Sequence, residues 1–453
     1  MASPSHRPSH RRSLRKRRTI VVASAAVAAT GLGAVAFVMN ANAGAVDLAH
    51  QTLPAKDGWA ASGSGTTGGS QADSAHVFTV STRAQLVKAL GSSTNSTAKI
   101  IQVKGTIDAN TDDAGKKLTC ADYASGTGYS LTAYLKAYDP ATYGTSKLPS
   151  GTQETARAAA QAKQAKSVVL KVPANTTIVG VPGTKAGITG GSLQVKSVDN
   201  VIIRNLAFSA TEDCFPQWDP TDGSTGNWNS AYDSVTLRGA THVWADHNTF
   251  TDAPHLDSSN PKYYGREYQI HDGALDITNG SDLVTVERNQ FTSHDKTMLI
   301  GSSDTDSTGK LRVSIHHNVW KGIVQRAPLA RIGQIHIYNN YFDTTTLNGY
   351  APLYSINSRA KAQVVAENNY WKLPSGGKAA KLLSGDGTGS VSGGGNLVNG
   401  TATDLVAAYN AANSKKLKTT VNWTPALTAD LQTSAKNLPT ELATTTGAGI
   451  LTN

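Results

Sequence analysis

Six segments of the chain share one form: VIIRNLAF at Val201–Phe208, VWADHNTF at Val243–Phe250, LVTVERNQF at Leu283–Phe291, VSIHHNVW at Val313–Trp320, IHIYNNYF at Ile335–Phe342 and VVAENNYW at Val364–Trp371. Each is a short β-branched run ending in Asn, with an aromatic residue close behind. The asparagines Asn205, Asn248, Asn289, Asn318, Asn340 and Asn369 recur at intervals of 43, 41, 29, 22 and 29 residues. A strand–turn unit repeating in this range is a solenoid signature, in which the shortest interval is one coil and longer ones hold an inserted loop or a pair of coils. In stacked coils each Asn occupies the same turn, tolerates the left-handed conformation and bonds the coils above and below, while the aromatic stacks inside. A β-sandwich with Asn at its turns would show alternating strands and tight hairpin signals, and these are scarce. The expected class is an all-β solenoid with peripheral loops and short helices.

Outward from the repeat, Thr82–Leu90 is expected as a short amphipathic helix with Thr82 as N-cap and Gly91 just past its end. Lys99–Ile107 alternates as one strand. Residues 108–167, with a Tyr-rich loop and an Ala-rich helical stretch at Thr155–Ala165, form an insertion outside the repeating core. Gly44–Ser74 is an extended entry. The chain at 400–453, helical in ATDLVAAYNAANS and then loop-like, is expected to cover or cap the solenoid.

The first 43 residues carry a targeting segment. Seven basic residues (Arg7, Arg11, Arg12, Arg15, Lys16, Arg17 and Arg18) precede an apolar run from Ile20 to Met39, and Ala41-Asn42-Ala43 has the small-x-small form of a cleavage site. A membrane anchor is the competing reading of a run that long; its richness in Ala and Gly favours a cleaved signal peptide, residues 1–43, ahead of a single domain at 44–453. Arg11-Arg12 also admits a twin-arginine signal. Subtracting those seven charges from the formal +10 leaves about +3 for the mature chain, so its global charge does not argue for nucleic acid. Cys120 and Cys214 are the two cysteines; in an exported chain they pair or stay free, and they cannot frame a zinc site alone.

The chemistry-bearing residues concentrate between Tyr232 and Arg331. Asp233, Asp272 and Asp276 are hard-cation ligands, Lys296 lies in SHDKTMLIG, and RAPLAR runs from Arg326 to Arg331. On an ideal strand the four-residue spacing of Asp272 and Asp276 places both on one face, and Asp233 could join them from an adjacent coil. Three carboxylates without thiolates or a clear histidine cluster suit Ca²⁺ rather than zinc. Pro328 biases Ala327 toward extended backbone. A bend must decide whether Arg326 and Arg331 converge.

At WADHNTF from Trp244, KYYGREYQIHDGALDITNGSDLVTVERNQF from Lys262, HDKTMLIGSSD from His294 and VQRAPLARIGQIHIYNNYF from Val324, the chain resembles the pectate lyases of polysaccharide lyase family 1, of bacterial secreted type. Weaker agreement extends from about Leu53 to about Asn399. The resemblance implies a right-handed parallel β-helix and a secreted, extracellular, monomeric enzyme that cleaves polygalacturonate by β-elimination. It assigns Asp233, Asp272 and Asp276 to Ca²⁺, Lys296 and Arg331 to the substrate, and Arg326 as base. Arg is normally protonated far above neutral pH, so a base role requires desolvation and cationic neighbours. His247, His271 and His294 lie in the same motifs and are read as packing and hydrogen-bonding residues beside the site. Two alternatives have distinct signatures. A pectin lyase, acting on methyl esters, would leave the carboxylates and Lys296 idle. A non-catalytic β-helix binding acidic polysaccharide needs cations but neither a metal cluster nor a base. Neither nucleic acid nor, after signal cleavage, a membrane is an expected partner.

Overall fold

The computed structural model describes residues 47–306 and 310–452, so the expected signal peptide at 1–43 lies outside the described residues. The chain is a right-handed parallel β-helix of three strand ladders. One coil shows the order: Val235–Arg238, Thr241–Asp246 and Thr249–Thr251 lie on successive faces, and the next coil repeats them as Leu275–Thr278, Asp282–Glu287 and Gln290–Lys296. Each strand pairs in parallel with its counterpart one coil on, so equivalent side chains stack: Asp246 over Glu287, Glu287 over His316, His316 over Tyr338. No helix among the described residues is long and apolar enough to cross a membrane.

The Asn repeat is the spine. Amide groups run Asn248 to Asn289, Asn289 to Asn318 and Asn318 to Asn340, each at 3.0 Å, then Asn340 to Asn369 at 3.0 Å and Asn369 to Asn396 at 3.2 Å. All are buried. Behind them the rings stack: Phe208 on Phe250, Phe291, Trp320, Phe342 and Trp371, with centroids 4.2–5.8 Å apart. Such pairs add about 0.5–1.5 kcal/mol each beyond their area burial.

Two details differ from the expected ladder. Asn205 stands one position out of register, because Arg204 pairs Asp246 and it is Leu206 whose N–H meets Asn248. The left-handed residue is also not the ladder Asn but the one before it, at His247, Arg288, His317, Asn339 and Asn368, with φ of 48–52°. The ladder Asn keeps a conformation in which its amide reaches both neighbouring coils.

Around the spine, the helix Arg83–Leu90 begins at Thr82 and ends at Gly91 as expected. Lys99–Ile107 is not one strand: it breaks after Val103 and resumes at Thr106–Asp108 on another face, because Lys104 and Gly105 turn a corner of the coil. The insertion carries four helices, the longest Thr152–Val168, and Cys120 is disulfide-bonded to Cys214. The carboxy-terminal helix Leu405–Ala412 matches expectation, whereas Leu438–Thr445 falls where only loop was expected. Its Leu438 and Leu442 pack on Val319, Tyr341 and Tyr370, burial that an eight-residue helix needs because its own propensity is too weak to sustain it. The entry segment covers the ladder face at Thr285 and Ser314, to which Ala60 and Trp59 donate from their backbones. It also joins the carboxy-terminal segment through a bridge from Asp57 to Thr428.

Candidate active site

Asp233 ends the turn before Val235–Arg238, and Gly273 lies in the equivalent turn one coil on. The Gly273 N–H donates to Asp233 Oδ1 at 2.9 Å, and Thr236 Oγ1 donates to Asp233 Oδ2 at 2.7 Å. A methyl group placed on Gly273 would lie 2.4 Å from Asp276 Oδ1 and 2.8 Å from Asp233 Oδ1. The two carboxylates therefore converge on one spot that only glycine leaves open. Asp276 lies in Leu275–Thr278, where its Oδ1 also accepts from Leu299 N at 2.9 Å.

Asp272 does not share a strand face with Asp276: it precedes the strand, in the turn, so the alternation argument does not apply to it. Its half-exposed carboxylate instead faces Lys296, with Nζ 3.9 Å from Oδ1. The donors are all carboxylate oxygens, the chemistry of a hard cation's ligands rather than of a tetrahedral nitrogen and sulfur site.

Electrostatics mark the same spot. Burial, reinforced by Asp272, pushes Asp233 up to about 7. Asp276 is driven well above the usual carboxylate range by burial and then by Asp233 and Asp272. Burial works to lower the Arg326 guanidinium, but Asp272 and Asp276 outweigh it and hold it high. Arg326 sits between Val319–Gln325 and Leu329–Tyr338 with φ 60°, and its buried Nε makes no hydrogen bond. Arg331 lies five residues on, at the bulge between Ala330 and Ile332. Its Nη1 donates to the carbonyls of Gly301 and Ser302 at 3.1 and 2.7 Å. Burial, then Arg359 and Arg326, lowers it.

Several neighbours escaped the sequence reading. Asp295 accepts from Gln325 Nε2 at 3.1 Å, Tyr354 donates to Gln325 Oε1 at 3.2 Å, and the buried Asn357 Oδ1 has no hydrogen bond. Leu329 pairs Asn357 and Ala330 pairs Ser358, which brings Arg359 beside Arg331. The repeat to Asn369 was the available signal, since it places a further coil under RAPLAR. Of the histidines, His294 contacts Asp252 at 3.2 Å, and His271 contacts Asp257 at 3.1 Å. Burial depresses His294 to about 3; it also opposes charge on His271, yet Asp252 and Asp257 lift that ring to about 9. His247 is not beside this site: it pairs with Asp246 and lines a pocket elsewhere.

A family profile described as pectate lyase matches residues 33–128 and 142–448. The "Pectate lyase" of Bacillus subtilis (strain 168) is 50% identical over 415 residues, 91% of this chain and 96% of the relative. A solved pectate lyase bound to hexasaccharide is 47% identical with a TM-score of 0.85, and a polygalacturonate lyase fused to a self-assembling amphipathic peptide is 48% identical with the same TM-score; each covers 90% of this chain and 100% of the other. The chain belongs to the pectate lyase family, and so to the polysaccharide lyases.

Proposed function

We propose that this chain is a secreted, calcium-dependent pectate lyase that cuts polygalacturonate by β-elimination. The observation that carries the reading is the buried Arg326, its Nε unpartnered, within electrostatic reach of Asp272 and Asp276. The hexasaccharide-bound relative and the polygalacturonate lyase support the substrate class.

Asp233, Asp272 and Asp276 would hold Ca²⁺. Bound there, it supplies positive charge against the enolate-like charge of the reaction and offsets the carboxylates that keep Arg326 protonated. Lys296 binds a uronate carboxylate as a point charge, and Arg331, anchored on Gly301 and Ser302, presents its remaining donors to another. Arg326, in its deprotonated form at alkaline pH, takes the proton from carbon 5 of the sugar and becomes the guanidinium. The glycosidic oxygen leaves carbon 4, and a carbon 4–carbon 5 double bond forms. Lys196 and Arg238 line a pocket of ≈ 430 Å³ with Asp233, which extends the cationic surface along the same strand face.

Methyl esters would leave Lys296 and the carboxylate set without a charged partner, and an adhesin needs no buried, unpartnered guanidinium. The mature chain is read as one exported, monomeric domain at 44–453. Its insertion edges the groove through the Tyr232 hydroxyl, which donates to Gln161 O at 3.0 Å. Ultraviolet absorbance of unsaturated products from polygalacturonate tests the reading: it should rise with calcium and stay flat with chelator. No rise in either condition at neutral and alkaline pH overturns it.

A further inference from the structure

The in-register stacking that builds the groove also builds a second polar column. Arg204, Asp246, Glu287, His316, Tyr338 and Glu367 stand in one row, two positions before the ladder Asn in every coil but the first, where Arg204 directly precedes the out-of-register Asn205. The amino- and carboxy-terminal segments close over its centre. They bring Asp57 and Asp430, and Ala429 N donates to Lys56 O at 3.0 Å beside them. A pocket of ≈ 700 Å³ opens there, sharing no lining residue with the pocket at Asp233.

One donor atom from each of Asp57, Glu287, His316 and Asp430 lies within 4.8 Å of every other. His316 is completely buried and its Nδ1 is 3.0 Å from His317 Nδ1; the Gln432 amide donates to His317 Nε2, so the proton between the rings is carried by His317 Nδ1 and His316 Nδ1 accepts it. The neutral His316 ring then carries its own proton at Nε2, which a metal ion bound there would displace. That Nε2 faces Asp57 Oδ1 at 3.4 Å, and neither atom has a hydrogen-bond partner. A buried N–H and a buried carboxylate oxygen left without a good hydrogen bond are costly, and a metal ion replacing that proton would satisfy both. Their separation also matches the edge of a tetrahedron with metal–ligand bonds of about 2.1 Å.

The charge tally agrees. Asp246 is answered by Arg204 at 2.7 Å and by His247. Asp57, Glu287 and Asp430 face only Arg288, whose Nη2 lies 2.9 Å from Asp430 Oδ2 and whose Nε lies 3.9 Å from Glu287 Oε2. Three carboxylates face one guanidinium, and burial raises all three, Asp57 to about 7, Glu287 well above the usual carboxylate range and Asp430 upward, so the cluster holds either protons or a cation. Burial keeps His316 and His317 neutral and able to ligate. The surroundings follow the pattern of a supported site: Trp244 Nε1 donates to Glu287 Oε1 at 2.6 Å, and Gln432 holds His317 at 3.3 Å.

We propose that Asp57, Glu287, His316 and Asp430 form a second metal centre, for a divalent transition ion of the zinc class, that clasps the amino- and carboxy-terminal segments onto the β-helix. Mixed imidazole and carboxylate donors select such an ion over calcium. The site is independent of the groove and serves stability rather than turnover.

Zinc alone is the probe, added to untagged, chelator-stripped protein in excess calcium. Native mass spectrometry should show one zinc per chain at micromolar metal, and the thermal unfolding midpoint should rise with it. Asp430→Asn and His316→Gln should weaken zinc affinity about tenfold or more while polygalacturonate cleavage in calcium persists. Asp276→Asn should still take up one zinc. Asp430, on the covering segment, keeps the test valid should His316→Gln fail to fold. The proposal is overturned by no uptake in the unaltered protein, by full zinc affinity in Asp430→Asn, or by loss of uptake in Asp276→Asn. Retained protons, rather than metal, would then neutralise the cluster.

Discussion

The groove at Asp233, Asp272 and Asp276 and the covered column at Asp57, Glu287, His316 and Asp430 arise from the same parallel stacking, yet they differ in cover and in donor chemistry. In the groove, one carboxylate remains half-exposed beside Lys296, and a buried guanidinium is left without a partner for its Nε. In the column, terminal segments lie over the charges and imidazole joins the carboxylates. A β-helix thus concentrates like charges wherever a polar residue recurs in register. Whether such a row becomes a place for substrate or a clasp depends on what the loops leave uncovered.

The largest effect that separates the two regions is expected at Arg326. Arg326→Ala should lower kcat on polygalacturonate by about 10²–10⁴-fold while the variant still binds the polymer, as removal of a general base does. Initial rates of unsaturated product and a polymer co-sedimentation assay check this. A variant with near-native turnover would break the distinction at its catalytic end.

Trp320→Ala attacks the stack that both regions share. It should cost about 3–5 kcal/mol in urea unfolding and weaken both sites together. Asn318→Ala, which interrupts the amide ladder between Asn289 and Asn340, should cost about 1–3 kcal/mol in the same measurement, because buried groups on neighbouring coils lose their partner.

A smaller effect concerns pH on the groove side. Burial holds Asp213 at about 6, despite N–H bonds from Phe215 and Ala231, so the folded state binds its proton more tightly than the unfolded chain does. Its stabilising contribution is therefore full below about pH 4 and fades as pH rises through 6. Asp213→Asn should flatten the change in unfolding free energy between pH 4 and 7. An unchanged slope would show that Asp213 does not supply it.

The repeat made the solenoid legible because stacking imposes one residue type at one turn, and buried Asn and aromatic positions leave a periodic trace. The pectate lyase motifs likewise contain the proposed Asp272, Asp276, Lys296, Arg326 and Arg331, while Asp233 lies ahead of them in the weaker agreement. What the sequence could not show was register. Whether Asn205 joins the ladder or misses it by one residue, and whether Asp272 stands on a strand or in the turn before it, depends on where each coil bends. The helix Leu438–Thr445 was hidden for another reason: its stability comes from Tyr341 and Tyr370, far away in sequence. The same holds for Asp57, Glu287, His316 and Asp430, separated by as many as 373 positions and brought within 4.8 Å only by the fold. Local pattern determines which residues a coil repeats, but only the closing of the terminal segments over those coils decides which charges share a site.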